Sequence, residues 1–234
     1  MCFSNCNSIS YEIVKLSIAT NEFPNIIKCA KVTALFKAGN RTSPSNYRPI
    51  SILPTLSKVL ERAVHHQFYQ YLNQHKLLNE KQFGFRPKHS TVNAISSFAD
   101  EILLSMERGK LCGAVFLDLS KAFDTVDHTI LLRKLSSFGV TSDTAKWFES
   151  YLNGRMQSTP CGPELSDLWP VTHGVPQGSI LDPLLFLIYI NCHQAFGGSP
   201  ICWWRSALLL WFKPSWSGVR PECRLVFYCY LVKW

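Results

Sequence analysis

Asp118 closes an apolar run, Ala114-Val115-Phe116-Leu117, and is followed by small and helix-compatible residues. That order reads as a buried strand that delivers a carboxylate to its exposed end, where a rigid oxygen donor can hold a divalent cation beside a phosphate. The same pattern fits an aspartate that caps the next helix. It also fits a nucleophilic aspartate of the phosphatase type, although that loop takes a second Asp two residues on and position 120 is Ser. Phe123, five residues after Asp118, can form an apolar wall beside such a cation. Lys37 and Arg48 flank a segment with Gly39 and Pro44, and a hairpin there would bring them together. A point charge beside a planar guanidinium suits a triphosphate, and a solvated surface hairpin is the plainer alternative. In Gln82-Phe83-Gly84-Phe85-Arg86-Pro87-Lys88-His89, two aromatics stand among basic residues. Such a mixture can stack a base and hold its phosphate, or plug the edge of a core. Around Gln177, the residues Gly174, Pro176 and Gly178 impose an irregular backbone that can approach a sugar or a base pair closely, while the amide can both donate and accept.

The elements that position these residues follow from periodicity. Ala30 to Phe36 reads as a strand, with a second extended segment over 47–53. Apolar residues at Val59, Leu60, Ala63, Val64, Phe68 and Leu72 predict an amphipathic helix over 57–75, on which His65 and His66 are surface residues with Glu61 as their one acidic neighbour. Ser90 or Thr91 caps a further helix, with Val92, Ile95, Phe98, Ile102, Leu103 and Met106 on its apolar face and Gly109 at its end. Two helices follow the Asp118 strand, 130–138 and 144–152, the second capped by Ser142 or Asp143. From Ser179 the pattern turns helical through Ile188, and a short helix around Ile13 to Ile18 opens the chain. The fold class is α/β, in the α+β sense.

The run Phe116-Leu117-Asp118-Leu119-Ser120-Lys121-Ala122-Phe123-Asp124-Thr125-Val126-Asp127-His128 resembles the first catalytic motif of reverse transcriptases from non-LTR retrotransposons of the LINE and jockey type. Asn46-Tyr47-Arg48-Pro49-Ile50-Ser51, Gln82-Phe83-Gly84-Phe85-Arg86 and Gly174-Val175-Pro176-Gln177-Gly178-Ser179 resemble three more motifs of that family, in its order. The resemblance covers roughly 22–191. It implies a right-hand polymerase with fingers and an incomplete palm, the thumb absent. By region it implies a lead-in over 1–27, a fingers-like part over 28–110, a palm-like part with a fingers insertion over 111–192, and a divergent tail over 193–234. The implied reaction is RNA-directed DNA synthesis from an RNA template, a DNA primer and deoxynucleoside triphosphates, with Mg2+ as cofactor. Asp118 would then be the catalytic metal ligand, Lys37 and Arg48 the cations on the incoming nucleotide, and Phe123 the block against a ribose 2′-hydroxyl. Gln177 and Gly178 would touch nucleotide or template, and Arg86 and Lys88 the template. Position 182 departs from the family, with Asp where Gly is usual, and is expected to impair packing or nucleotide fit.

Two metal ions need more carboxylates than Asp118. The family supplies them from a Tyr/Phe-Ala-Asp-Asp hairpin, whereas after Asp182 the sequence holds one acidic residue, Glu222. Five of the seven tryptophans fall at positions 203, 204, 211, 216 and 234. Read one nucleotide later, codons for Ile201-Cys202-Trp203-Trp204 can spell Tyr-Ala-Gly-Gly, close to the expected hairpin. The expectation is an out-of-frame tail, a domain truncated before the hairpin with little activity alone, and an upstream endonuclease segment outside the chain. The alternative is a non-catalytic relic that at most binds RNA.

Bulk properties are consistent with a packed domain. The chain has 234 residues, 47% hydrophobic, and a formal charge of +8. Five basic residues against one acidic give the tail +4, and the remaining 19 basic and 15 acidic residues give the rest +4, so local clusters rather than net charge must carry any case for nucleic acid. The nine cysteines are odd in number and form no zinc-type pattern, which reads as reduced thiols of an intracellular protein, nuclear or cytoplasmic rather than secreted. No run is long enough to span a membrane, and no protein partner is indicated.

Overall fold

In a computed structural model, residues 2–109, 112–116, 119, 121–191 and 224–228 are described. The chain divides into two compact units, Met1–Leu77 with Lys121–His193, and Leu78–Ser120 with Gln194–Trp234. Six α-helices and a mixed sheet make the described part an α/β structure.

The first unit opens with α1 (Cys2–Thr20), longer than the short helix its apolar residues predict. Strands β1 (Cys29–Phe36) and β2 (Tyr47–Ile52) form the antiparallel hairpin expected from the turn residues between them. Helix α2 (Thr55–Gln74) starts directly after Pro54, whose φ of −54° is already that of a helix entry. Its row Leu60, Phe68 and Leu72 is buried, as the spacing requires. Helices α4 (His128–Ser137) and α5 (Ser142–Leu152) come later in the chain. Asp127 caps α4 by accepting from the Ile130 N–H at 2.9 Å, which holds its carboxyl below the usual aspartate range. The cap of α5 is Thr141, one residue before the two candidates read from sequence, because its hydroxyl reaches the Thr144 N–H. Four short strands follow α5: β4 (Met156–Ser158), β5 (Pro160–Cys161), β6 (Glu164–Leu165) and β7 (Trp169–Pro170). The four-stranded sheet runs β2-β1-β4-β7, with β1 parallel to β4, while β5 and β6 pair separately.

The last helix of this unit, α6 (Asp182–Ile190), buries Leu184, Leu185, Phe186, Leu187 and Ile188 in succession. A helix that is apolar on every side belongs inside a core. Its C-terminal carbonyls are met by Lys134 of α4, a buried ammonium that donates to the Tyr189 and Asn191 carbonyls. That arrangement satisfies both the lysine and the negative end of the helix. Phe23, Phe68, Trp147, Phe148 and Tyr151 form a cluster of edge-to-face, tilted and stacked rings.

In the second unit, α3 (Thr91–Glu107) is capped by Ser90, which accepts from the Asn93 N–H at 3.2 Å, and ends at Gly109 with φ +65°. Lys81 pairs with Glu101. The apolar stripe of α3 is exposed at Val92, Ile95, Leu103 and Met106, and of this helix only Ala94 is buried. Spacing states which residues share a face and not what covers it. Strand β3 (Cys112–Phe116) pairs in parallel with β8 (Arg224–Tyr228). No described helix is long and apolar enough to cross a membrane.

Candidate functional site

The loop that carries Gln177 is bound on two sides within the first unit. The Gly174 N–H donates to the Val126 carbonyl at 2.8 Å and the Val175 N–H to the Phe123 carbonyl at 3.0 Å, so the loop runs along the segment that follows position 121. On its other side the Ser51 N–H of β2 donates to the Gln177 carbonyl at 2.7 Å. The glycines permit these approaches. Gly174 has φ +80°, and a Cβ there would stand 2.9 Å from the Asp124 backbone. Gly178 has φ +121°, and a Cβ there would stand 2.5 Å from the Ser51 carbonyl oxygen. The His128 Nε2 lies 2.7 Å from the Gly174 carbonyl, an atom that only accepts, so Nε2 carries the proton. The Gln177 side chain donates from Nε2 to Asp124 Oδ1 at 2.8 Å. Val32, Ser51, Asp124, Gln157, His173 and Gln177 are among the residues around a cavity of about 190 Å3.

Beneath the loop lies a buried polar network. Glu61 of α2 is wholly inaccessible. Its Oε1 accepts from the Ser57 hydroxyl at 2.8 Å, and its Oε2 accepts from the Ser179 hydroxyl at 2.9 Å and the Ile180 N–H at 2.7 Å. The Ser179 oxygen in turn accepts from the Leu181 and Asp182 N–H groups at the start of α6 and lies 2.7 Å from the Tyr151 hydroxyl, whose pKa burial raises far above its ordinary value. One carboxylate thus fixes the junction between the Gln177 loop and α6. Glu61 carried a signal in the sequence: it sits one residue from Leu60 and three from Val64, a charge on the apolar face of a helix.

Asp182 does fit the structure, at a cost. It opens α6 with its side chain buried, and its Oδ1 has no hydrogen-bond partner among the described residues. Burial, then the Asp124 and Glu61 carboxylates, raise its pKa well above the ordinary value of 3.8, and the Arg155 guanidinium pulls it part of the way back. Arg155 is itself buried, donates from Nε to the Tyr151 carbonyl at 2.7 Å and lies 4.1 Å over the Tyr151 ring. A carboxyl whose folded pKa exceeds its unfolded pKa contributes most below the unfolded value, and that contribution is lost as pH rises toward the folded value. Asp182→Asn is therefore expected to raise the melting temperature at pH 7, with the gain shrinking as pH falls toward 3.8. A gain that is the same at both ends of a pH series of thermal melts would contradict this.

The residues singled out by sequence fall into separate places. The register pairs Leu35 with Arg48, and the Lys37 N–H donates to the Asn46 carbonyl at 2.8 Å, so positions 35, 37 and 48 share one face of the hairpin. Val32, Pro49 and Ser51, which border the cavity, belong to the opposite face. Lys37 is exposed and Arg48 half-buried. Phe123 is half-buried with its ring centroid 4.5 Å from that of Phe186 on α6, next to Asp124. In the second unit Arg86 donates from Nη1 to the Asn79 carbonyl at 2.8 Å and to that of Gln82 at 3.4 Å, closing its own loop, while Lys88 is exposed with φ +63°. Asp118 lies outside the described residues, as do residues 192–223 and 229–234. Among the described residues no three His, Cys, Asp or Glu side chains gather as a metal site. They do not by themselves build a magnesium centre.

Residues 36–195 match the sequence profile of a family described as reverse transcriptase (RNA-dependent DNA polymerase). The chain is 34% identical over 184 residues to a probable RNA-directed DNA polymerase from transposon BS of Drosophila melanogaster, covering 74% of this chain and 20% of that protein. It is 35% identical over 171 residues to the corresponding protein of transposon X-element from the same fly, covering 71% and 18%. To the RNA-directed DNA polymerase from mobile element jockey, also of Drosophila melanogaster, it is 32% identical over 170 residues, covering 72% and 18%. The chain thus spans about a fifth of the length of these curated relatives.

Proposed function

This chain belongs to the reverse transcriptase (RNA-dependent DNA polymerase) family, in its non-LTR retrotransposon branch, and we propose that it is the nucleotide-handling part of an RNA-directed DNA polymerase. In this reading residues 28–110 are fingers and 111–192 palm. The substrates are an RNA template, a DNA primer and deoxynucleoside triphosphates, met inside the cell. Asp118 supplies a carboxylate to Mg2+, a hard cation that takes oxygen ligands. Lys37 and Arg48 take the triphosphate, Gln177 and Gly178 the nucleoside, and Phe123 stands against a 2′-hydroxyl. Arg86 and Lys88 face the template, with Lys88 the more available because an Arg86 Nη1 already holds two loop carbonyls.

The observation that carries this reading is the seating of Gln177, tied through its main chain to β2 and through its side chain to the segment next to Phe123. A loop free only to cover a core edge needs neither bond. Phe123 is braced on Phe186, and truncating it should open space beside the sugar. In Mg2+-dependent extension of a labelled primer on RNA by an intact relative that keeps the Tyr/Phe-Ala-Asp-Asp hairpin, the change matching Phe123→Ala is expected to raise ribonucleotide use relative to deoxynucleotide use on the order of 10-fold, the scale of one lost steric contact. Unchanged discrimination would remove Phe123 from the sugar site. RNA binding without any extension would favour the non-catalytic relic, whose motive is the single acidic residue after Asp182.

A further inference from the structure

We propose that Asp124 is a positioning residue for nucleotide recognition, setting which way round the Gln177 amide faces. The inference rests on the nucleotide reading above and deepens it. An amide group presents an oxygen that accepts and a nitrogen that donates, and rotation by half a turn exchanges them. An ionised carboxylate only accepts, so a bond to Asp124 forces the Gln177 nitrogen toward it. The Gln177 Oε1 is then turned away from Asp124, the one orientation in which it can accept from a hydroxyl or amino group of a ligand. Both ends of the pair are held by backbone. Asp124 lies between Phe123 and Thr125, where the Phe123 and Val126 carbonyls bind the loop, and its own backbone closes on Gly174. Gln177 is tied to Ser51.

Both side chains border the cavity of about 190 Å3, whose walls include Val32, Pro49 and Val175. Apolar walls with a few convergent polar groups suit the nucleoside part of a nucleotide, not its phosphates. The hairpin face with positions 37 and 48 lies on the other side of the β1-β2 pair. Recognition of the nucleoside and of the phosphates can therefore be separated experimentally.

The test is calorimetric binding of dTTP with Mg2+ to the full chain, alongside inorganic tripolyphosphate with Mg2+. Asp124→Ala is expected to weaken dTTP about 10-fold, the scale of one misplaced polar contact, with tripolyphosphate affinity unchanged. Asp124→Asn, which keeps an acceptor but adds a donor and so permits either amide orientation, should fall between. In a Gln177→Met background Asp124→Ala should weaken dTTP no further. Equal loss of dTTP and tripolyphosphate would mean a collapsed structure and overturn the proposal, as would unchanged dTTP affinity or a full effect persisting without Gln177. If the unaltered chain binds tripolyphosphate but not dTTP, the nucleoside reading itself fails and takes this role with it.

Discussion

In an intact relative that keeps the Tyr/Phe-Ala-Asp-Asp hairpin, primer extension on an RNA template is expected to fall by at least about 10^3-fold when the residue matching Asp118 becomes alanine, roughly 4 kcal/mol of barrier at 1.36 kcal/mol per decade. In the sequence Asp118 comes two residues after β3 ends at Phe116. A carboxylate there is the oxygen donor that a hard divalent cation takes, and alanine offers none. An aspartate that merely caps a helix predicts something else: replacement would cost stability on the order of 1 kcal/mol and leave metal affinity alone. Mn2+ binding followed by water proton relaxation separates the two without requiring activity. Asp118→Ala should lower Mn2+ affinity about 10-fold or more while the melting temperature stays close to that of the parent. A lowered melting temperature with unaltered Mn2+ affinity would return Asp118 to the capping role.

Glu61→Ala is expected to destabilise the first unit by about 3 kcal/mol or more. The substitution leaves the Ser57 and Ser179 hydroxyls and the Ile180 N–H without their acceptor in a site closed to water. An unsatisfied buried donor costs about 1–3 kcal/mol, and bonds to a charged acceptor lie at the upper end. Against a typical total of about 5–15 kcal/mol that is a large share. Glu61→Gln keeps one carbonyl oxygen and should lose about half as much. Urea unfolding of the full chain measures both. A loss below about 1 kcal/mol for alanine would mean that the network relaxes around the gap, and the loop carrying Gln177 would not depend on it. The two predictions also differ in kind, since Glu61 acts through the placement of Ser179 and α6, and Asp118 through its own oxygens.

Much of the site was legible as residue type and order. The turn chemistry between β1 and β2 predicted a hairpin carrying Lys37 and Arg48, and that hairpin is present. The glycines around Gln177 announced an irregular backbone, and two of them have positive φ with the main chain of another segment closing on them. Asp127 as the cap of α4 came from the structure, and the cap of α5 is Thr141 rather than Ser142 or Asp143, all three residue types being capable of it.

What order and type could not convey is which distant groups meet. Glu61 and Ser179 are 118 positions apart and share a hydrogen bond. Asp124 and Gln177 are 53 apart. No local propensity records either contact, because both arise only when α2, the segment after position 121 and the Gln177 loop pack together. The exposed stripe of α3 makes the same point in reverse: its period follows from the sequence, and its exposure is seen only in the fold. The amino-acid sequence by itself determined the family, the order of the motifs and the local elements, since these depend on near neighbours and on residue chemistry. Only the tertiary structure decided that Gln177 is oriented by Asp124, that Glu61 is wholly buried, and that Asp182 is driven toward its neutral form. Desolvation and hydrogen bonding between remote segments exist only once the chain has packed.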